Sequence, residues 1–308
     1  MEREGKVGAV ERLGVLAAIL SSSLGGTNTA ATRFAIGATD PVTLAAFRFG
    51  LGFLLLLPFA LALRGRWPRG RDWIGVALLG ILFFAVFQGS FNWALAYTTA
   101  ARGALALSVL PLLTMVVGAA LGVEPLGARK AAGVVLAMAG VAIALVAGLG
   151  DAPAGAWRGD LIMIAATFSF ALYNVWSRPF IARSGALAFV TVGMGAGSAC
   201  LAAVAWASGG FAASAAIGAP QWIAIGYLVV IGAGVTFFLW VFALARTTPT
   251  RVATAITLNP VMASIAAAVF LGEPIGLNLI VGVAAVFVGI WLASTEPRPQ
   301  PIVATPPR

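Results

Sequence analysis

The sequence predicts an all-α polytopic membrane protein, with ten transmembrane helices arranged as two inverted five-helix repeats. Three observations predict it. The first is composition: 61% of the 308 residues are hydrophobic and only 9% are charged, against roughly 25% charged in ordinary globular domains. A water-soluble core cannot bury that much apolar side chain, so lipid must be the bulk solvent. The second is an internal repeat. Residues 94–127 align without a gap onto residues 243–276 at an offset of 149, pairing Arg102 with Arg251, Pro111 with Pro260 and Glu124-Pro125 with Glu273-Pro274. The register continues through Gly133 and Gly282, and through Gly140 and Gly289. The third is the placement of basic residues.

Apolar runs cut at Gly, Pro and Arg clusters place the spans near 13–36, 42–63, 73–96, 102–121, 128–148, 159–177, 185–207, 221–244, 252–271 and 276–293. Each is about the twenty residues that cross a bilayer. Residues 1–12 form a charge-mixed N-terminus, so span 1 reads as an uncleaved helix rather than a signal peptide. Residues 13–148 form repeat 1 and residues 159–293 repeat 2. Residues 294–308 carry five prolines and read as a disordered tail.

With ten spans both termini share one side. That side collects fifteen Lys and Arg, including Arg64, Arg66, Arg69 and Arg71 between spans 2 and 3. The other side has Arg33, Arg102 and Arg158. The positive-inside rule places the termini in the cytoplasm, here of a bacterial inner membrane. Five spans per repeat is an odd number, so the second copy enters the membrane upside down, and Glu124 and Glu273 end their spans on opposite sides as gate or span-end residues. Trp67, Trp73, Trp157, Trp222 and Trp291 fall at span ends, where an aromatic belt is expected.

Composition also excludes functions. There is no histidine and a single cysteine, Cys200. An intrachain disulfide and a Cys/His metal site are excluded, and no metal or cofactor is expected. The net charge of +9 sits in short loops and does not indicate nucleic acid. The expected partners are the lipid bilayer and a small-molecule substrate, with monomer and homodimer both open. No carboxylate falls mid-span, and no nucleophile elbow, P-loop or dinucleotide fingerprint is present, so the chain does not read as an enzyme.

Several intramembrane residues are candidates for a substrate site. Pro111 and Pro260 fall near the middle of spans 4 and 9. Each lacks an N–H and frees a carbonyl one turn earlier, at Leu107 and Ile256. Freed backbone in a membrane must face protein, water or ligand, although a plain kink is the alternative. Gln88 and Asn92 share one stripe of span 3. Asn28 in span 1, Tyr173 and Asn174 in span 6 and Thr257 in span 9 add polar groups. Amides are costly to leave unpaired in lipid and suit a cavity, whereas Ser and Thr more often bond between helices. Trp93, Trp176 and Trp240 could stack on substrate or face lipid. Arg48 is the one ionised side chain well inside a span. It either holds a substrate carboxylate or pairs with Asp40 or Glu273. Spans 5 and 10 are nearly without polar residues, with glycines at seven-residue spacing, and should lie away from the substrate path.

Taken together, Pro41-x6-Arg48, Ala94-Leu95-x-Tyr97, Pro111, Glu124-Pro125, Asn259-Pro260 and Leu271-Gly272-Glu273-Pro274 resemble the EamA units of the drug/metabolite transporter superfamily. The resemblance runs from about Leu13 to Ala293, and among members the chain looks most like the YddG-type amino-acid exporters. It departs at Gly25-Gly26, where the family often has Trp-Gly. The resemblance implies a transporter working by alternating access through a central cavity between the repeats. It also implies a structural role for Arg48, which the family carries across varied substrates. A neutral cavity of amides, hydroxyls and aromatics suits an amino acid. Another small solute (nucleobase, sugar or drug) is the alternative, and a non-transporting scaffold is a second one.

Overall fold

The computed structural model describes residues 2–36, 39–63, 65–94, 97–98, 100–145, 154–214, 217–262, 265 and 277–295. Glu273, the far part of span 9 and the proline-rich tail lie outside the described residues. Among those described, every regular element is helical. We label α1 Glu2–Ile36, α2 Pro41–Ala62, α3 Asp72–Ala94, α4 Ala100–Leu107 continued by Leu110–Ala120, α5 Ala128–Leu145, α6 Trp157–Ser184, α7 Ala186–Ala207, α8 Ala219–Leu244, α9 Pro249–Thr254 and α10 Leu277–Ser294. Helix α9 tightens into a 3-10 turn at Ala255–Thr257 and is helical again over 258–262. Seven segments are long and apolar enough to cross a membrane, in α1 to α4 and α6 to α8. The chain is a multi-pass membrane protein.

Local chemistry sets the boundaries. Asp40 caps α2, its Oδ1 accepting the N–H groups of Val42 and Thr43 at 3.0 Å, with Pro41 at the first helical position. Between α6 and α7 the chain reverses at one residue, Gly185, whose φ of 78° favours glycine. Two helices carry π-helical stretches, Ile81–Phe87 in α3 and Leu228–Val235 in α8. Shifted by 149, the first falls on 230–236 and overlaps the second, so the same backbone irregularity recurs in both halves.

The halves interlock through antiparallel pairs. Along α5 and α10, Gly133 lies against Gly289 and Gly140 against Gly282, so one sequence runs forward as the other runs back. Helices α2 and α7 do the same: Thr43 lies by Gly210, Gly52 by Met194, and Arg66 beyond α2 by Gly185. Glu124, after α4, meets Thr250 at the start of α9. Helix α1 packs on α8 and α3 on α6, two contacts that map onto each other if the halves are exchanged. Hydrocarbon exerts no hydrophobic drive between apolar helices, so such contacts rest on dispersion and close approach. Glycine permits that approach. A Cβ on Gly80 would sit 2.2 Å from the Gly193 carbonyl oxygen, and one on Gly133 only 2.5 Å from the Ala293 nitrogen.

The outer surface is apolar. Leu54, Ile74, Leu78, Trp206, Ile223 and Trp291 are exposed, a pattern that suits lipid and not water. Gly133→Val should therefore lower stability by about 1–3 kcal/mol, the usual cost of overpacking. Gly50→Ala, where an added Cβ meets nothing within 4 Å, should be neutral or slightly stabilising. Thermal unfolding of the two variants in detergent checks the contrast.

Candidate functional site

A cavity of about 140 Å³ opens between the halves. Its polar wall is α1, which contributes Ser21, Ser22, Gly25, Asn28 and Thr32. Helix α3 faces it with Phe83, Phe87, Gln88, Phe91 and Asn92. Helix α8 contributes Thr236, Phe237 and Trp240, and single residues come from α2 (Arg48), α4 (Leu107) and α6 (Phe170). Ile256 and Asn259 complete it. No described residue of α5 or α10 takes part, in line with their apolar, glycine-bearing faces.

Both π-helical stretches end at the cavity. The Gln88 N–H reaches the Phe83 carbonyl and the Thr236 N–H reaches the Ile231 carbonyl, each five residues back. A π turn shifts the following side chains around the axis and disturbs the carbonyls before it. In α3 it brings Phe83, Phe84 and Phe87 onto the buried face. In α8 the Gly232 carbonyl accepts Arg48 Nη2 at 3.2 Å, and the Ile231 carbonyl accepts Thr236 Oγ1 at 2.7 Å. Nothing in the apolar residue pattern of either segment marked these turns.

Arg48 lies with its guanidinium carbon 5.2 Å from the Phe49 ring centroid and 5.8 Å from that of Phe237. Its Nε is buried without a partner. It does not pair with Asp40, whose Oδ1 caps α2. Among the described residues Arg48 forms no ion pair. Asn28 is 4% exposed and donates from Nδ2 to Thr236 Oγ1 at 3.5 Å. The Thr236 hydroxyl proton is committed to Ile231, so Thr236 can only accept there. This fixes which end of the amide faces it. Asn28 Oδ1 is left buried and unpartnered, as is Asn259 Oδ1.

The other sequence candidates divide. Gln88 and Asn92 line the cavity, and Asn92 Nδ2 also donates to the Pro41 carbonyl at 3.3 Å. Pro111 and Pro260 are buried off the wall. The residues one turn before them, Leu107 and Ile256, line it instead, because proline disturbs the backbone towards its N-terminal side. Tyr173 is not on the wall. Its ring stacks on Phe83, centroids 4.3 Å apart. Asn174 is one layer back and accepts Trp240 Nε1 at 3.0 Å, which holds that ring at the wall. Thr257 bonds within its own helix, to the Thr254 carbonyl at 2.8 Å, as polar residues without a cavity commonly do. Of the three ambiguous tryptophans, Trp240 is 3% exposed and lines the cavity, while Trp93 and Trp176, 60% and 45% exposed, face outward. Sequence reasoning missed Thr236 and Asn259 as wall residues. Thr236 is the sole hydroxyl residue between Leu228 and Arg246, and that isolation was an available signal.

At the opposite end of α4, Glu124 is 4% exposed. Its Oε2 accepts Lys130 Nζ at 2.8 Å and its Oε1 accepts the Thr250 N–H at 3.0 Å. A carboxylate at the first turn of α9 satisfies an orphan N–H and complements the helix dipole. Nearby, Arg251 is buried, pairs with Glu11 and reaches the Ala293 carbonyl at 3.3 Å. Arg183 grips Asp72 with two bonds, at 2.8 and 2.9 Å. Of these, Glu124 to Thr250, Arg251 to Glu11 and Arg183 to Asp72 cross between the halves, and at the other end Thr98 Oγ1 crosses to Asp160 Oδ1 at 2.8 Å.

The model of the EamA-like transporter family matches this chain twice, over residues 12–146 and 157–295. The chain belongs to that family. It is 24% identical over 267 residues to the uncharacterized transporter YyaM of Bacillus subtilis, covering 85% of this chain and 87% of the relative. It is 27% identical over 230 residues to a probable terminal-alkyne amino-acid exporter of Streptantibioticus cattleyicolor, covering 74% and 75%. A protein of known crystal structure shares the fold, with a TM-score of 0.75 at 23% identity over 93% of this chain and 96% of that one. The protein is thus a membrane transporter and not an enzyme.

Glu124→Gln should destabilise the protein by about 3–5 kcal/mol, because it strands the buried Lys130 ammonium. The double variant Glu124→Gln, Lys130→Met should recover most of that loss. Unfolding free energies of the two single variants and the double variant check it.

Proposed function

We propose that the protein exports small metabolites, amino acids foremost, across the bacterial inner membrane by alternating access. Two inverted five-helix repeats, residues 13–148 and 159–293, enclose the path, and both termini are cytoplasmic. The observation that carries this reading is a cavity at the seam of the halves, lined by the repeat mates Leu107 and Ile256. The inversion draws support from the antiparallel pairing of matched helices, α5 with α10 and α2 with α7. Orientation draws support from the fifteen-to-three split of basic residues.

On this topology Glu124, Lys130, Arg251 and Arg183 lie on the cytoplasmic side and seal it. Thr32 and Asn92 lie on the outer part of the cavity wall. Export then requires the Glu124 cluster to part. Glu273, at the matched position, closes the outer end in the alternate state. A wall of amides, hydroxyls and rings with a single cation suits an amino acid better than a cationic drug. The relative whose name gives it as a probable amino-acid exporter points the same way. A scaffold has no need of a polar cavity.

Purified protein in liposomes should exchange radiolabelled amino acids in counterflow, and empty liposomes should not. Flux of a sugar or nucleobase with none of any amino acid would contradict the substrate class. No flux of any solute would favour the scaffold.

A further inference from the structure

The polar groups of the cavity that lack partners are not a random set. They are one cationic donor, Arg48 Nε, two amide acceptors, Asn28 Oδ1 and Asn259 Oδ1, and the Ser22 hydroxyl. In a membrane an unsatisfied buried polar atom is costly, and each orphan here needs an explanation. All belong to residues that line one cavity. We propose that they form a zwitterion subsite, in which Arg48 binds the carboxylate of the substrate and the amide oxygens of Asn28 and Asn259 bind its ammonium. The assignment rests on the amino-acid reading above and adds which residues hold which end.

Geometry puts the two ends within reach of one small molecule. The ideal Cβ position of Gly232 lies 2.9 Å from Arg48 Nη2 and 3.2 Å from Asn28 Oδ1, so donor and acceptor are no more than about 6 Å apart. Asn259 Oδ1 lies 2.8 Å from the Cβ position of Gly25, one helical turn from Asn28 on the same face of α1. Two glycines therefore clear the space in which these heads meet, and a side chain at either would fill it.

The chemistry fits each end. The Gly232 carbonyl takes only Nη2, so Nε remains on the guanidinium edge that grips a carboxylate. The phenyl rings of Phe49 and Phe237 flank the cation without neutralising it. The Asn28 amide is held by Thr236 with its oxygen free, and an ammonium has three protons and no acceptor. Amide oxygens can satisfy such a group without placing a second buried charge beside Arg48. Among the described lining residues no carboxylate competes for Arg48.

The experiment compares phenylalanine with three analogues that each alter one end: phenylalaninamide, N-acetylphenylalanine and 3-phenylpropionate. Binding is read from tryptophan fluorescence of the purified protein and transport from counterflow in liposomes. Wild type should bind phenylalanine at least tenfold more tightly than any analogue. Arg48→Gln should abolish the preference over the amide while leaving the residual preference over the N-acetyl form. Asn28→Leu should do the reverse, abolishing the preference over 3-phenylpropionate and the N-acetyl form. If Arg48→Gln is not recovered folded, the Asn28→Leu arm and the wild-type panel decide alone. Amino-acid flux with equal binding of phenylalanine and its amide, or variants that keep both preferences, would overturn the subsite while leaving the transport function intact. Absence of flux for every amino acid would overturn the function and the subsite with it.

Discussion

Close backbone approach at glycine is the constraint on which the structure depends. In lipid there is no water to expel, so apolar helices gain nothing merely by touching. What holds α5 to α10, α2 to α7 and α3 to α7 is contact near enough for dispersion and weak backbone interactions to accumulate, and only glycine allows it. The same residues serve both halves: Gly133 meets Gly289 and Gly140 meets Gly282, each glycine packing on the repeat mate of its own heptad neighbour. Because the pairs are antiparallel, a seam forms between two similar halves. The amides Asn28, Gln88, Asn92 and Asn259 line the seam, and the cavity follows from the packing rather than from any helix alone.

Within that seam, small backbone departures do the chemical work. The π turns of α3 and α8 turn rings and carbonyls towards the cavity. The Gly232 carbonyl fixes Arg48, and Arg48 in turn leaves its Nε unsatisfied. Asn174 does not touch the cavity but sets the Trp240 ring that does. The far end is closed by a different kind of bond. The buried Glu124 carboxylate ties the end of α4 to α5 through an ion pair with Lys130 and to α9 through the Thr250 N–H. Charge-assisted bonds of this sort are strong when dry and weaken once water enters.

Much of this was legible in the sequence. Hydropathy located the seven long apolar segments, because a span must be long and apolar whatever its partners. The repeat located matched residues, and the amides Asn28, Gln88 and Asn92 do reach the cavity, since few other places in lipid accept an amide. No described residue of α5 or α10, the helices with glycines at seven-residue spacing, lines the cavity. The rest depended on long-range packing. Pro111 and Pro260 drew attention to the right turns but not to the right residues, because proline acts on the carbonyl a turn earlier. Nothing local distinguishes Trp240 from Trp93, or marks where an α-helix widens to a π turn. Asp40 caps α2 rather than holding Arg48, while the Glu273 alternative lies outside the described residues.

The account stands or falls on inversion of the second half. In a background with Cys200 replaced by serine, single cysteines at Arg69 and at Ser208 test it directly. Both sites are exposed, and they occupy the matched loops after the second helix of each half. Labelling of intact and permeabilised cells with a membrane-impermeant maleimide reads their sides. Inversion predicts that Ser208→Cys reacts from outside in intact cells and that Arg69→Cys reacts only after permeabilisation. Reaction of both from the same side would contradict it.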